Sequence, residues 1–176
     1  MIPTRVVLPI LALAGTLLLP VTATHAVDAR QAMPLSSFPR ESITVETRSA
    51  RRHVFQAWRA ETPEQREQGL MFVPQMGADE AMIFVYEPEQ YVAMWMKNTI
   101  LPLDMLFVDG HGCVVSVKER AKPQSLDTIA ADRPVALVVE LNAGIVASHG
   151  IHTGDRVVRP AANWPRPANA PCTASG

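Results

Sequence analysis

Fifteen prolines are spread through this chain of 176 residues, and they limit the length of any regular element. Proline removes a backbone donor and breaks a helix interior, so we expect many short elements and few long helices. The hydrophobic fraction is 48% and the charged fraction is 19%, which are ordinary values for a globular protein and exclude a wholly disordered chain or a coiled coil. The length fits one domain, or one domain with a small appendage.

Short apolar or alternating runs follow one another along most of the chain. An alternation of period two predicts a strand with one buried face, and a short fully apolar run predicts a strand that is buried on both faces. On these grounds we predict strands at residues 42–48, 53–60, 81–86, 91–97, 104–108, 113–118, 135–141 and 156–158. The Gly-rich segment 109–112 predicts a hairpin turn, and residues 49–52 form a basic turn.

Two short helices are predicted between these strands. Thr62 and Gln65 form a capping-box pattern, and Gly69 is well placed to end the first helix. Asn142 is the predicted cap of a second helix that ends at Gly150. The predicted fold class is therefore mainly β: a compact β-sandwich or small barrel with two short helices.

The N-terminal segment 1–26 is predicted to be a signal peptide. Arg5 precedes an uncharged apolar run, and Thr24 and Ala26 supply small residues at a cleavage site. The apolar run has about 14 residues, fewer than the roughly 20 that a membrane-spanning helix needs. The alternative is an uncleaved segment that anchors the protein in the membrane. We therefore expect an exported protein, periplasmic or otherwise extracytoplasmic.

The rest of the chain divides into three predicted parts. Residues 27–41 are interpreted as a linker, residues 42–159 as a single β-rich domain, and residues 160–176 as a disordered tail rich in Pro and Ala. Two cysteines, Cys113 and Cys172, could form a disulfide that ties the tail to the domain, because an exported protein meets an oxidising compartment. The alternative, which the spacing leaves open, is a buried free Cys113 and a solvated Cys172.

Several classes of function have no signal in this sequence. The net charge of −1 gives no reason to expect a nucleic-acid partner. No H-E-x-x-H, G-x-S-x-G or Gly-rich phosphate motif occurs. Met94 and Met96 could hold Cu(I), and His149 and His152 could form a metal pair, but core packing and surface histidines are the favoured interpretations. We therefore predict no metal site and no cofactor.

The densest cluster of polar and aromatic residues lies between two apolar strands, at residues 95–104. Pro102 cannot donate within a sheet, so this segment is expected to cross or edge the sheet. The candidate ligand-binding residues are Trp95, Lys97, Asn98, Thr99, Asp104 and Glu140. A structural interpretation is also open, in which Asn98 and Thr99 cap a turn and Lys97 pairs with one of the two carboxylates; residue chemistry alone favours it.

The order of several motifs resembles the uncharacterised family called domain of unknown function 192. These motifs are T-P-E-Q-R-E-Q-G-L-M, A-M-I-F-V-Y, W-M-K-N-T-I-L-P-L-D-M-L-F-V-D, V-V-E-L-N-A-G and G-I-H-T-G-D-R-V, within residues 54–158. The resemblance implies an exported or membrane-anchored prokaryotic protein with a compact, mostly β sandwich-like domain, and it implies no settled activity. One mild departure is at position 81, directly before Met82, where family members often have Gly and this chain has Ala.

Two hypotheses for the function follow. The first is an exported module that binds a small polar or anionic ligand, or an envelope protein, at residues 95–104, with Glu140 nearby. The second is an uncharacterised, hydrolase-like cell-envelope enzyme that uses Lys97, Asp104 and Glu140 as acid, base or electrostatic groups. Neither needs a nucleic acid, and a membrane is expected to be contacted only through an uncleaved N-terminal segment.

Overall fold

The computed structural model describes residues 29–160 together with Trp164 and Cys172. The predicted signal peptide, the start of the predicted linker and most of the predicted tail lie outside the described residues. Within them the strands are β1 (Arg40–Glu46), β2 (Arg52–Ala60), β3 (Glu80–Gln90), β4 (Ala93–Met94), β5 (Leu103–Val108), β6 (Val114–Ala121), β7 (Ile129–Ala130), β8 (Val135–Asn142) and β9 (Arg156–Val158).

Seven of these strands form one sheet in the order β6-β5-β8-β3-β2-β1-β9. All neighbouring pairs are antiparallel except β2 with β3, which are parallel. The two ends of the sheet meet, because Val114 N donates to Asp155 O and Val157 N donates to Gly112 O, both at 2.8 Å. The sheet therefore curls into a partly closed barrel, and the mainly β fold class is confirmed.

The sheet is buried on both faces. One hydrophobic cluster lies on the face that contains Ile43, Phe55 and Leu141. A second cluster lies on the face that contains Met82, Met105 and residues of the β4 segment. The two-stranded sheet of β4 and β7 lies over this second face of the large sheet. We call the two segments that contain its strands, residues 91–100 and 124–130, the outer layer.

The predicted strand at residues 91–97 is regular over only two residues. Its alternation nevertheless holds, because Val92, Met94 and Met96 are buried while Tyr91 and Trp95 are exposed. Of the remaining seven predicted strands, the one at residues 156–158 is found with the same ends and the other six are found with shifted ends. The partner β7 has no counterpart among the predictions, because two residues are too few to carry a periodic signal.

The first helix, α1 (Pro63–Gln68), forms as predicted. Thr62 Oγ1 accepts from Gln65 N at 3.2 Å, and Gln65 Oε1 accepts from Thr62 N at 3.1 Å, which completes the capping box. Gly69 follows with a positive φ of 49°.

The prediction that Asn142 caps the second helix is wrong. The helix α2 spans Ile145–His149, after Gly144 at the N-cap, and Asn142 ends β8 instead. The Asn142 amide donates to the carbonyls of Met76 and Gly77, at 2.9 Å each. The side chain that caps α2 comes from a distant part of the chain.

Both ends of the described chain contact the domain. Phe38 is buried, and Gln68 exchanges two hydrogen bonds with the backbone of Met33, so part of the predicted linker packs on the sheet. Trp164 is buried and its Nε1 donates to Val157 O at 3.1 Å. Cys113 and Cys172 form a disulfide, with Cα atoms 5.5 Å apart. Within the described residues, no helix is long and apolar enough to cross a bilayer.

Replacing Gly69 with alanine is expected to destabilise the fold. A Cβ at this position would lie 2.8 Å from Cζ of buried Phe84, and the residue has a positive φ. Overpacking and the left-handed backbone together predict a loss of about 2–4 kcal/mol in the free energy of unfolding, measured by urea denaturation. Gly77→Ala is the control, because its new Cβ would meet only the flexible side chains of Glu80 and Asp79. Equal losses in the two variants would contradict the steric explanation.

Candidate functional site

The outer layer presents Trp95 at the protein surface. The side chain is 43% exposed, although Met94 and Met96 on either side of it are buried. Two hydrogen bonds fix the backbone here: Met96 N donates to Ser125 O, and Gln124 N donates to Thr99 O, each at 3.0 Å. Buried neighbours and paired backbone therefore hold the indole in a defined position.

Lys97 lies beside this tryptophan. Its Nζ is 4.8 Å from the centroid of the Trp95 ring, which is a cation–π contact. Within the described part of the chain, no carboxylate forms an ion pair with Lys97. The predicted alternative pairing of Lys97 with Asp104 or Glu140 is thus not observed, and the ammonium group is available to a ligand.

Asn98 and Thr99 shape the turn that follows. Asn98 has a φ of +56°, its carbonyl accepts from Phe72 N at 3.0 Å, and its amide faces the sulfur of Met71 at 3.8 Å. Thr99 is buried, and its hydroxyl donates to Lys97 O at 3.3 Å. Both side chains therefore stabilise the backbone that carries Trp95 and Lys97.

Asp104 is fully buried, and backbone donors surround its carboxylate. Oδ1 accepts from Arg120 N at 2.8 Å, while Oδ2 accepts from Gly144 N at 2.8 Å and Val146 N at 2.9 Å. Asp104 supplies the cap of α2, because Gly144 and Val146 are amides at its first turn. A carboxylate that is saturated in this way has no free oxygen for a ligand.

Glu140 is also buried, but in a different environment. Burial raises its pKa to about 8, and no described residue makes a hydrogen bond or an ion pair with it. It lies directly opposite Met82 on β3 and Met105 on β5, both of which are fully buried. Burial therefore favours the neutral form of the Glu140 carboxyl, in a part of the core that Met82 and Met105 flank.

The strand register keeps the two predicted carboxylates apart. Asp104 pairs with Leu141, whereas Met105 pairs with Glu140. Successive side chains of a strand point to opposite faces, so Asp104 and Glu140 lie on opposite faces of the sheet. The structure thus brings together Trp95, Lys97, Asn98 and Thr99, and it does not bring the two carboxylates to one site.

Two adjoining cavities, of about 390 and 300 Å³, lie away from these residues and share Tyr86, Glu87 and Trp164 as walls. The larger one contains an ion-pair network, in which Glu41 binds both Arg159 and Arg59. Burial opposes ionisation of Glu41, but the hydrogen bonds and charges of the two arginines lower its pKa. Arg59 and Arg159 are therefore already neutralised by a protein carboxylate, whereas Arg66, which also lines this cavity, donates to the carbonyls of Glu61 and Val85.

A third cavity, of about 470 Å³, lies at the basic turn between β1 and β2. Arg48 and Arg51 line it, together with part of the loop before β9. The sequence marks residues 49–52 as a basic turn, but it does not show that the turn meets residues 150–155. Only the three-dimensional fold joins the two segments.

The fold and this surface define a small, mainly β domain with one curled sheet and a two-stranded outer layer. The chain belongs to the DUF192 family, described as an uncharacterized ACR, whose match covers residues 43–159. The family resemblance seen in the motifs is thereby confirmed. None of the curated proteins matches this chain.

Several solved protein chains match this chain, and two of them are described here. One comes from Sinorhizobium meliloti 1021 and is described as a candidate transcription regulator; it is 44% identical with a TM-score of 0.69, over 70% of this chain and 95% of that chain. The other is a protein of unknown function from Novosphingobium aromaticivorans DSM 12444, 36% identical with a TM-score of 0.68, over 72% of this chain and 89% of that chain.

Replacing Asp104 and Lys97 with alanine should have very different effects on stability. Asp104→Ala removes the acceptor of three N–H groups, of which the Val146 amide is buried and the Gly144 and Arg120 amides are part-buried, so we expect a loss of about 2–4 kcal/mol in the free energy of unfolding. Lys97→Ala removes only a surface cation–π contact and should cost less than about 1 kcal/mol. Thermal and urea unfolding measure both, with exposed Asp127→Ala as the matched carboxylate control. A large loss for Lys97→Ala would contradict a free ammonium group.

Stability should fall as the pH rises, because of Glu140. The pKa of this group is near 4.5 in the unfolded chain and about 8 in the folded protein, so the folded state binds more protons between these values. Its contribution is complete below about pH 4.5 and declines towards pH 8, by as much as about 1.4 kcal/mol per pH unit. Urea unfolding of wild type and Glu140→Gln from pH 5 to 9 isolates the effect, since the variant lacks the titration. If the free energy of unfolding changed equally with pH in the two proteins, the titration of Glu140 would be ruled out as the cause.

Proposed function

We propose that this protein is a non-catalytic binding module of the cell envelope, which docks an acidic partner protein on its outer layer. The observation that carries the proposal is the exposed Trp95, held by buried neighbours, beside a lysine that has no carboxylate partner in the described part of the chain. Tryptophan is among the residues that most often act as hot spots, which contribute most of the binding energy of a protein interface.

Exposed apolar side chains concentrate in this part of the molecule. Tyr91 is 73% exposed, Ile100 is 44% exposed and Leu126 is 69% exposed, in addition to Trp95. Of the large apolar side chains described as exposed, only Val54 on β2 lies outside the segment 91–126. Single exposed apolar residues are ordinary, but four of them within the two segments of the outer layer favour a protein contact.

The charge of Lys97 indicates the chemistry of the partner. The ammonium group lies over the Trp95 ring without a carboxylate partner among the described residues. A partner with an acidic side chain next to an apolar pocket would therefore neutralise the charge and receive the indole.

Export to the envelope is supported by two independent features. Residues 1–26 have the pattern of a signal peptide, with a positive start and a short apolar run. The bond between Cys113 and Cys172 is of the kind that persists in oxidising compartments.

The hydrolase-like alternative has less support from the geometry. It requires at least two of its groups in one open cavity, but Asp104 is saturated by backbone donors and lies on the face opposite Glu140. The description of one structural relative as a transcription regulator also finds little support. The two described α-helices span only six and five residues. A recognition helix that enters the major groove of DNA is usually longer.

Site-specific photo-crosslinking in the native host tests the docking surface. A photoreactive phenylalanine analogue at position 95 should give one crosslinked product of defined size, while the same analogue at Val54, which is 55% exposed on β2, should not. With the captured partner purified, Trp95→Ala should weaken binding at least about 30-fold, as expected for an interface hot spot. Lys97→Glu should weaken it further through charge repulsion.

Three outcomes would overturn the proposal. They are crosslinks of equal yield from positions 95 and 54, an unchanged affinity for Trp95→Ala, or a tighter complex with Lys97→Glu. A product that contains two copies of this chain would replace the acidic partner with self-association. Saturable quenching of Trp95 fluorescence by small carboxylates, without any crosslinked protein, would instead favour the small-ligand hypothesis, since Trp58 and Trp164 are buried.

A further inference from the structure

The cavity of about 470 Å³ at the basic turn is separate from the outer layer. Its walls are the turn that joins β1 to β2, contributed by Thr47–Ser49 and Arg51, and the loop that precedes β9, contributed by Gly150, His152 and Asp155. Two arginines, two hydroxyl groups and an imidazole therefore line one concave surface, and Asp155 is the only carboxylate among the described residues that line it.

The carboxylate of Asp155 already accepts hydrogen bonds from the protein. Asp155 is 2% exposed, and its two oxygens accept from Arg48 N at 2.8 Å and from His152 N at 2.7 Å. The Arg48 guanidinium is more distant, with Nε 3.9 Å from Oδ1. Asp155 therefore holds together the two segments that form the cavity. Its carboxylate forms only a weak ion pair with the Arg48 guanidinium group.

Arg51 has no carboxylate partner within the described residues. Its Nε donates to the Ser49 hydroxyl at 3.3 Å. Its Nη2 lies so close to Gly150 that it would clash with a Cβ at that position. Gly150 also has a φ of +63°, so glycine both forms the turn and leaves room for the guanidinium.

Further titratable groups stand behind the cavity. The rings of His53 and His149 are 4.3 Å apart, and His53 Nε2 is buried without a hydrogen-bond partner among the described residues. Burial, followed by the charges of His149 and Arg51, lowers the pKa of His53, and this outweighs the opposing effects of a hydrogen bond to the His149 backbone and of the Asp155 charge. The groups that face His53 are therefore mainly basic, and the local field favours an anion.

We infer that this cavity binds a tetrahedral oxyanion, a phosphate or a phosphate monoester, between Arg48 and Arg51, with the Ser49 hydroxyl as a further donor. Arginine forks match the geometry of phosphate oxygens, and hydroxyl groups complete their coordination. The phosphate could belong to a free ligand or to a lipid headgroup, since both present the same chemistry.

Calorimetric titration of the full chain with inorganic phosphate, at low ionic strength and pH 7, tests the free-ligand source. We expect saturable binding at one site. Arg51→Gln and Arg48→Gln should each weaken it at least tenfold. Arg52→Gln should not, because Arg52 follows in the same turn but pairs with Glu46 at 3.4 Å and does not line the cavity.

Sedimentation with vesicles tests the lipid source. Phosphatidylcholine vesicles that contain phosphatidate should bind the protein more than pure phosphatidylcholine vesicles, and Arg51→Gln should abolish the difference. Binding in either experiment that depends on Arg51 but not on Arg52 supports the site and identifies its source. No binding in both experiments, or equal losses for Arg51→Gln and Arg52→Gln, would overturn it. The outer-layer proposal is independent of this result, because Trp95 and Lys97 do not line the cavity.

Discussion

The carboxylate of Asp104 holds together parts of the chain that would otherwise have no reason to meet. It is near the start of β5, yet it binds the amide of Arg120 at the end of β6 and two amides at the first turn of α2. A buried carboxylate is costly unless charge and lone pairs are compensated, and three N–H donors with a helix N-terminus do so. The position of the loop between β8 and α2 depends on this interaction.

Asp155 solves a similar problem with similar chemistry. It is nearly inaccessible, and it binds the amides of Arg48 and His152, which joins the turn after β1 to the loop before β9. In both aspartates, the carboxylate oxygens accept hydrogen bonds from backbone amides. Arg51, which lies in the same region as Asp155, has no carboxylate partner within the described residues.

The parts of the fold that could be predicted are those with a local cause. The capping box of Thr62 and Gln65 lies within four residues, and the alternation around Trp95 lies within seven, so both could be predicted from the sequence. The role of Asp104 could not, since its partners are 16, 40 and 42 residues away. Asn142 was a reasonable cap by sequence, but the distant aspartate reaches the same amides, and the Asn142 amide binds the carbonyl of Met76 instead.

Sequence order also misleads about which carboxylates share a site. Asp104 and Glu140 both follow or end apolar runs, and both lie on adjacent strands in the sheet, so convergence was a natural expectation. Their register differs by one residue, since Asp104 faces Leu141 and Glu140 faces Met105. A shift of one residue reverses the face of a strand side chain, which no composition or spacing rule reveals. One carboxylate therefore binds backbone amides on one face of the sheet, and the other lies in the core on the opposite face, where burial favours its neutral form. Asp104 and Glu140 consequently do not form an acid–base pair at one site.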